Sequence, residues 1–123
     1  MRSPQRVLVI DDHIEIRDAL AICLSASGFV VQVAESREAA LDILRHTPTQ
    51  LILMDWFMPG MEASVFVDQV QNAYPHTPII MMSCSDEVRF EAERLGLRQF
   101  LIKPFDLYEL PEVLTSAVRE LVA

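Results

Sequence analysis

The chain has 123 residues, 51% of them hydrophobic, and a formal net charge of −8 at pH 7. That length and apolar fraction suit one domain with one substantial core. The acidity argues against direct nucleic-acid binding, which needs clustered positive charge, so the expected partners are proteins or cations.

Three glycines, seven prolines and the absence of any repeat or low-complexity tract mark no internal boundary, and residues 1–123 are read as a single domain. Four apolar residues precede Asp11, too few for a signal peptide or a membrane span. A cytoplasmic location without membrane contact is expected. Cys23 and Cys84 are read as reduced thiols buried as small hydrophobes.

The apolar runs at 7–10, 29–33, 51–54, 79–82 and 100–102 are mostly continuous, as in strands covered on both faces. Each is followed by residues at helical spacing. Ile16, Ala19, Leu20, Cys23 and Leu24 form the first set, and Ala39, Ala40, Ile43 and Leu44 the second. Phe66, Val67 and Val70 form the third, and Val88, Ala92 and Leu95 the fourth. The fifth runs through Leu107, Leu110, Val113, Leu114, Ala117, Val118 and Leu121. Gly28 and Gly96 fall where the first and fourth helices should end, and Pro48, Pro59 and Pro78 in connections. Pro111 must begin or kink the last helix. Five strand–helix alternations predict a parallel sheet with helices on both faces.

In such a sheet, ligands bind beyond the carboxyl ends of the strands. Asp11 and Asp12 follow the first run, Asp55 the third, Ser83 the fourth and Lys103, the one lysine beside nine arginines, the fifth. The second run ends in Ala34 and Glu35, which places it at the sheet edge, away from the site. Three carboxylates at one sheet end repel one another, and the cluster must take up protons or bind a cation. An oxygen-rich site suits magnesium (Mg2+) or manganese, and magnesium keeps coordination positions open for water and phosphoryl oxygen. Phosphoryl transfer depends mostly on positioning and charge neutralisation, and a carboxylate can accept the group covalently. Asp55 is the expected nucleophile because the third strand should be central, with Lys103 as counter-charge and Ser83 as hydroxyl donor. Singly, each has a plainer reading: Asp11 and Asp12 as helix caps, Asp55 as a turn residue, Ser83 as a cap and Lys103 as a solvated side chain. Their joint placement carries the argument.

Val-Leu-Val-Ile-Asp-Asp at 7–12, Leu-Ile-Leu-Met-Asp-Trp-Phe-Met-Pro-Gly-Met at 51–61, Ile-Ile-Met-Met-Ser at 79–83 and Phe-Leu-Ile-Lys-Pro-Phe at 100–105 stand in a specific order. Through them the sequence resembles a CheY-like response regulator receiver domain of two-component signal transduction over essentially its whole length. The resemblance implies a doubly wound five-stranded parallel sheet with five helices, flavodoxin-like, in strand order 2-1-3-4-5. It implies that Asp55 accepts a phosphoryl group from a sensor histidine kinase or histidine phosphotransfer protein, with no enzymatic activity beyond this transfer and slow autodephosphorylation. Asp12 and Asp55 would ligate the metal directly, Asp11 through water, and Phe57 through its backbone carbonyl. Ser83 and Phe100 would be the switch pair, and Lys103 would pair with the phosphate and precede a cis Pro104.

Several positions depart from the family pattern. Ala63 replaces the usual glycine of the Met-Pro-x-Met-x-Gly turn, implying a rearranged or strained backbone. Cys84 replaces a smaller residue and is expected to narrow the site, Leu97 replaces a small residue, and Phe100 lacks the hydroxyl of the commoner tyrosine. Trp56 and Phe57 make the rim apolar, which predicts slow attack of water on the phosphoaspartate. His13 is read as a surface residue rather than a ligand.

Within the family, the face formed by the fourth helix, fifth strand and fifth helix commonly carries the signal. Here Arg89, Phe90, Arg94 and Arg98 stand among Glu87, Glu91 and Glu93, which fits either a homodimer with crossed ion pairs or a solvated helix with local pairs. Nothing after Ala123 supplies an output domain, so a stand-alone regulator and a piece of a larger one are both expected possibilities. A degenerate receiver that binds proteins without being phosphorylated is the alternative, and magnesium binding discriminates it. A nucleotide- or flavin-binding enzyme would need a phosphate-cradling loop where Asp-Asp-His-Ile-Glu stands at 11–15.

Overall fold

The computed structural model describes residues 5–122, and side chains through residue 118. Strands and helices alternate in the order β1 (Arg6–Ile10), α1 (Ile14–Ala26), β2 (Val30–Ala34), α2 (Arg37–His46), β3 (Leu51–Asp55), α3 (Ala63–Ala73), β4 (Ile79–Ser83), α4 (Val88–Arg94), β5 (Gln99–Ile102) and α5 (Leu110–Val122). The sheet is wholly parallel in the order β2-β1-β3-β4-β5, with β3 central.

Period-two alternation along the inner strands divides the core into two layers. Leu8, Ile10, Ile52, Met54, Ile79 and Met81 face α2, α3 and α4, where Ala40, Leu44, Phe66, Val70 and Ala92 meet them. Val7, Val9, Leu51, Leu53, Ile80 and Met82 face α1 and α5, against Leu20, Leu24, Leu110 and Leu114. Every residue of β3 and β4 is buried. Each large apolar side chain so enclosed contributes about 1.5–3 kcal/mol, which is why the continuous runs specify interior parallel strands.

The register aligns the carboxyl ends: Ile10 pairs with Met54, Asp55 with Met82, and Ser83 with Ile102. Residues directly after the strands therefore emerge side by side.

Helix ends follow local chemistry. At the end of α1, Gly28 takes φ 95 and the amides of Gly28 and Phe29 donate to the carbonyls of Ser25 and Leu24, both at 3.1 Å. The same closure ends α4 at Gly96, with the Leu97 amide on the Ala92 carbonyl at 2.8 Å. Leu97 is thus the residue that packs beneath a helix cap, and its buried side chain joins the α2–α4 layer. Phe29 is spent on the first cap, so β2 starts at Val30 rather than at residue 29.

The last helix begins at Leu110, with Pro111 in its first turn, where the missing N–H is tolerated. Leu107 lies ahead of the helix, in a turn held by the Tyr108 amide on Asp106 Oδ1 at 2.8 Å, yet still packs into the α1–α5 layer. Leu121 falls outside the described side chains. The expectation that both cysteines are buried needs correction: Cys23 is half-buried, with Sγ donating to the Leu107 carbonyl at 3.2 Å, whereas Cys84 is exposed because it leaves the sheet just past the end of β4. No helix among the described residues is long and apolar enough to cross a membrane.

Candidate functional site

The sheet end brings together four of the expected side chains. Asp11 is fully buried and Asp55 nearly so, whereas Asp12 is exposed. Lys103 bridges two of the acids, with Nζ 3.3 Å from Asp11 Oδ2 and 3.4 Å from Asp55 Oδ1. One carboxylate oxygen each of Asp11, Asp12 and Asp55 and a ring nitrogen of His13 lie within 4.8 Å of one another. His13 is solvent-exposed as expected, yet its Nδ1 stands 3.3 Å from Asp11 Oδ1 and 3.2 Å from Asp12 Oδ1, so it belongs to the rim of the cluster.

Burial pushes the Asp55 carboxyl above its ordinary range. The Lys103 charge opposes that shift, the Asp11 charge adds to it, and the Phe57 amide, which donates to the carboxylate, lowers it. One lysine does not offset three converging carboxylates. A donor set of carboxylate oxygens at this spacing fits a hard divalent cation.

Ser83 is buried at the end of β4, but its Oγ accepts the Ser85 amide at 3.1 Å, a local turn contact rather than a link to the acids. Its backbone does bind the site, because the Lys103 amide donates to the Ser83 carbonyl at 2.8 Å. The Lys103–Pro104 peptide is cis. Phe100 is half-buried against the α2–α4 layer, with the Arg89 guanidinium 5.6 Å from its ring centroid.

One residue without a sequence signal stands at the centre of the site's architecture. Arg37, the first residue of α2, is 1% exposed. Its guanidinium donates to the carbonyls of Asp55 (3.1 Å), Trp56 (2.8 Å) and Met61 (2.8 Å), with a longer contact to Met58 (3.5 Å). Burial lowers its pKa, against the opposing charges of Asp55, Glu38 and Asp12. A cation in the first turn of an amphipathic helix reads as solvated, and it follows the edge strand that the sequence places away from the site. Its burial depends on the approach of α2 to the β3–α3 connection, which no local pattern encodes.

A groove of about 790 Å³ opens beside the cluster, lined by Asp12, His13, Arg37, Trp56 and Phe57 among others. The match to known proteins covers almost the whole of this arrangement. Residues 7–115 match the family described as the response regulator receiver domain. The chain belongs to that family.

Among this receiver's relatives, the response regulator protein FleR of Pseudomonas aeruginosa is 33% identical over 103 residues, covering 82% of this chain and 22% of that protein. The regulatory protein AtoC of Escherichia coli is 31% identical over 121 residues, covering 97% and 26%. The chain thus spans about a quarter of the length of these relatives. Among solved structures, the chemotaxis protein CheY4 of Vibrio cholerae superposes with a TM-score of 0.85 at 30% identity, over 94% of this chain and 99% of that one.

The receiver's departures from the family pattern take physical form here. Ala63 opens α3, is buried in the core, and no described non-glycine residue has a positive φ, so alanine fits that position without the strain expected of it. The turn uses Gly60 instead, at φ 90. Cys84 turns to solvent and its exposure gives no sign of the expected narrowing. Phe57 is 82% exposed, while Trp56 packs partly against the core.

Proposed function

We propose that this receiver takes a phosphoryl group onto Asp55 in a magnesium-dependent reaction and passes the signal through its surface. What supports the reading is the convergence of Asp11, Asp12 and Asp55 at one sheet end with Lys103 Nζ within 3.4 Å of two of them. Asp12, Asp55 and the Phe57 carbonyl would hold the cation, with Asp11 acting through water. A bound divalent ion neutralises charge on the transferring group and on the acids around it.

The chain's own residues do the rest. An Asp55 carboxylate oxygen forms the new O–P bond as the P–N bond of the donor phosphohistidine breaks, its electron pair leaving with the imidazole, which then takes up a proton. Lys103, released from sharing two carboxylates, pairs with a phosphoryl oxygen. Ser83 exchanges the Ser85 amide for the phosphoryl group, and Phe100 repacks behind it. The donor is a sensor histidine kinase or histidine phosphotransfer protein, and the setting is the cytoplasm.

The α4–β5–α5 face is a candidate contact between copies. Arg94 already pairs with Glu91 on its own helix, however, and Arg89 lies over Phe100, so local pairing occupies part of that face.

The test is treatment with acetyl phosphate or phosphoramidate, with and without magnesium, read by intact mass on the wild type and Asp55→Asn. One phosphoryl group gained only with magnesium and lost in the variant is the expected outcome. Absence of both phosphorylation and magnesium binding would replace this reading with a non-phosphorylated interaction module.

A further inference from the structure

We propose that Arg37 is a positioning residue for the cation site, a buried clamp that sets the β3–α3 connection before any metal binds. The inference rests on reading the acid cluster as a divalent-cation site. It goes further by assigning a residue of α2, outside the strand-end set, to the construction of that site.

The arrangement of acceptors makes the case. The guanidinium binds the carbonyls of Asp55 and Trp56 on one side of Phe57 and reaches those of Met58 and Met61 on the other, so its acceptors flank Phe57 without including it. Phe57 is the residue whose amide donates to the Asp55 carboxylate and whose carbonyl is the proposed ligand. A planar fork of five donors can hold several carbonyls at fixed angles at once, which an ammonium at the end of a flexible stem cannot. The neighbouring residue pulls the same way: Glu38 Oε1 accepts the Met61 amide at 3.1 Å and lies 3.3 Å from the point where a side chain at Gly60 would begin. From the sheet side, the Trp56 amide is tied to the Met82 carbonyl at 2.8 Å. The loop is therefore fastened to α2 and β4 on either side of the ligand position.

Energetics weigh against a purely structural origin. Enclosing a guanidinium among neutral acceptors is costly, and here Nε is buried with no hydrogen-bond partner among the described residues. Capping a few carbonyls for stability alone would not need a buried charge. Groups one step removed from a metal typically alter its affinity 10–100-fold when changed.

Charge and geometry make opposite predictions, and this separates them. Arg37 lies close enough to Asp55 and Asp12 to feel their charges. If it acted only as a cation, its removal would strengthen magnesium binding. As a clamp, its removal weakens binding, and Arg37→Lys, which keeps the charge and loses the fork, weakens it too.

The experiment is magnesium titration of the whole chain followed by Trp56 fluorescence, the sole tryptophan, on the wild type, Arg37→Lys and Arg37→Met, with metal-free thermal unfolding of each. Weakening of about tenfold in both folded variants is expected. Unchanged affinity in Arg37→Lys, or tighter binding in Arg37→Met, overturns the proposal, as does a fall in unfolding temperature with affinity intact. Amide hydrogen exchange on the metal-free wild type and Arg37→Lys reads the clamp without metal: faster exchange at the Phe57 amide in the variant is expected, and equal exchange overturns it. A wild type that binds no magnesium sinks the underlying reading of the site, while the exchange result still reports on the clamp.

Discussion

Asp55 is held in surroundings that disfavour its charge, and this has a measurable sign. Its folded-state pKa is raised by burial, with Asp11 adding to the shift and Lys103 opposing it. A carboxyl whose folded pKa exceeds its unfolded value binds its proton more tightly when folded. Its contribution to stability is therefore present at low pH and lost as pH rises through the folded pKa. The metal-free domain should lose stability through this group from the ordinary carboxylate range upward. Asp55→Asn should lack that component and be more stable at neutral pH by about 1 kcal/mol, a few degrees in Tm. Thermal scans between pH 4 and pH 8 (roughly the range above the ordinary carboxylate pKa) check it, and a variant that melts below the wild type at pH 7 without metal would refute it. Phe57 supports a second prediction. An apolar ring at the groove displaces water, so Phe57→Asn should shorten the phosphoaspartate half-life roughly three- to tenfold, about 1 kcal/mol in barrier. The decay of the phosphorylated mass is the readout, and equal half-lives would remove any role for the ring. Asp11, Asp12, Asp55 and Lys103 were legible in the sequence because strand ends locate them. Arg37 was not, because the groups that solvate it are carbonyls from residues 18–24 positions away along the chain.

At the scale of elements, the turns were more legible than the exact ends. Gly28 and Gly96 marked the ends of α1 and α4, and both take the left-handed conformation that closes those helices. Nothing lies within 4 Å of a side chain begun at Gly28, so Gly28→Ala should cost only the backbone conformation, about 1 kcal/mol. Urea unfolding should show a lower midpoint at unchanged slope. At Gly60 the same change also meets Glu38 Oε2 at 3.1 Å, and because Glu38 is exposed and can swing aside, the added loss should be small in stability. Pro111 marked the start of α5, whereas Leu107, counted with that helix, lies ahead of it for a physical reason. Leu107 continues the helical spacing of Leu110, Leu114 and Ala117, but the Asp106 side chain satisfies the Tyr108 amide and Pro111 has to lie in a first turn. Apolar period alone does not separate a helix from a turn that packs on the same layer.

For the whole molecule, the two-layer core was legible because β1, β3 and β4 each carry four consecutive apolar residues, at 7–10, 51–54 and 79–82, a pattern that two-sided burial accommodates. The full order of the strands came from the family resemblance, since the strand-end residues place β2 at an edge and β3 centrally but do not rank the rest. The ends of β1 and β3 fix the acid cluster, so a cation held there would link its binding to global stability. A metal that binds the folded state alone stabilises it by about 2.7 kcal/mol at a hundredfold excess over Kd. The linkage gives two curves that cross. Without metal, Asp55→Asn should melt above the wild type, because a buried charge has been removed. With saturating magnesium, the wild type should rise by several degrees and the variant, deprived of a proposed ligand, should rise less, so that their order reverses. Calcium and manganese titrations in parallel place the site among hard cations. Parallel curves, with both proteins shifted alike, would mean that magnesium acts through the general surface charge of −8 rather than through Asp55.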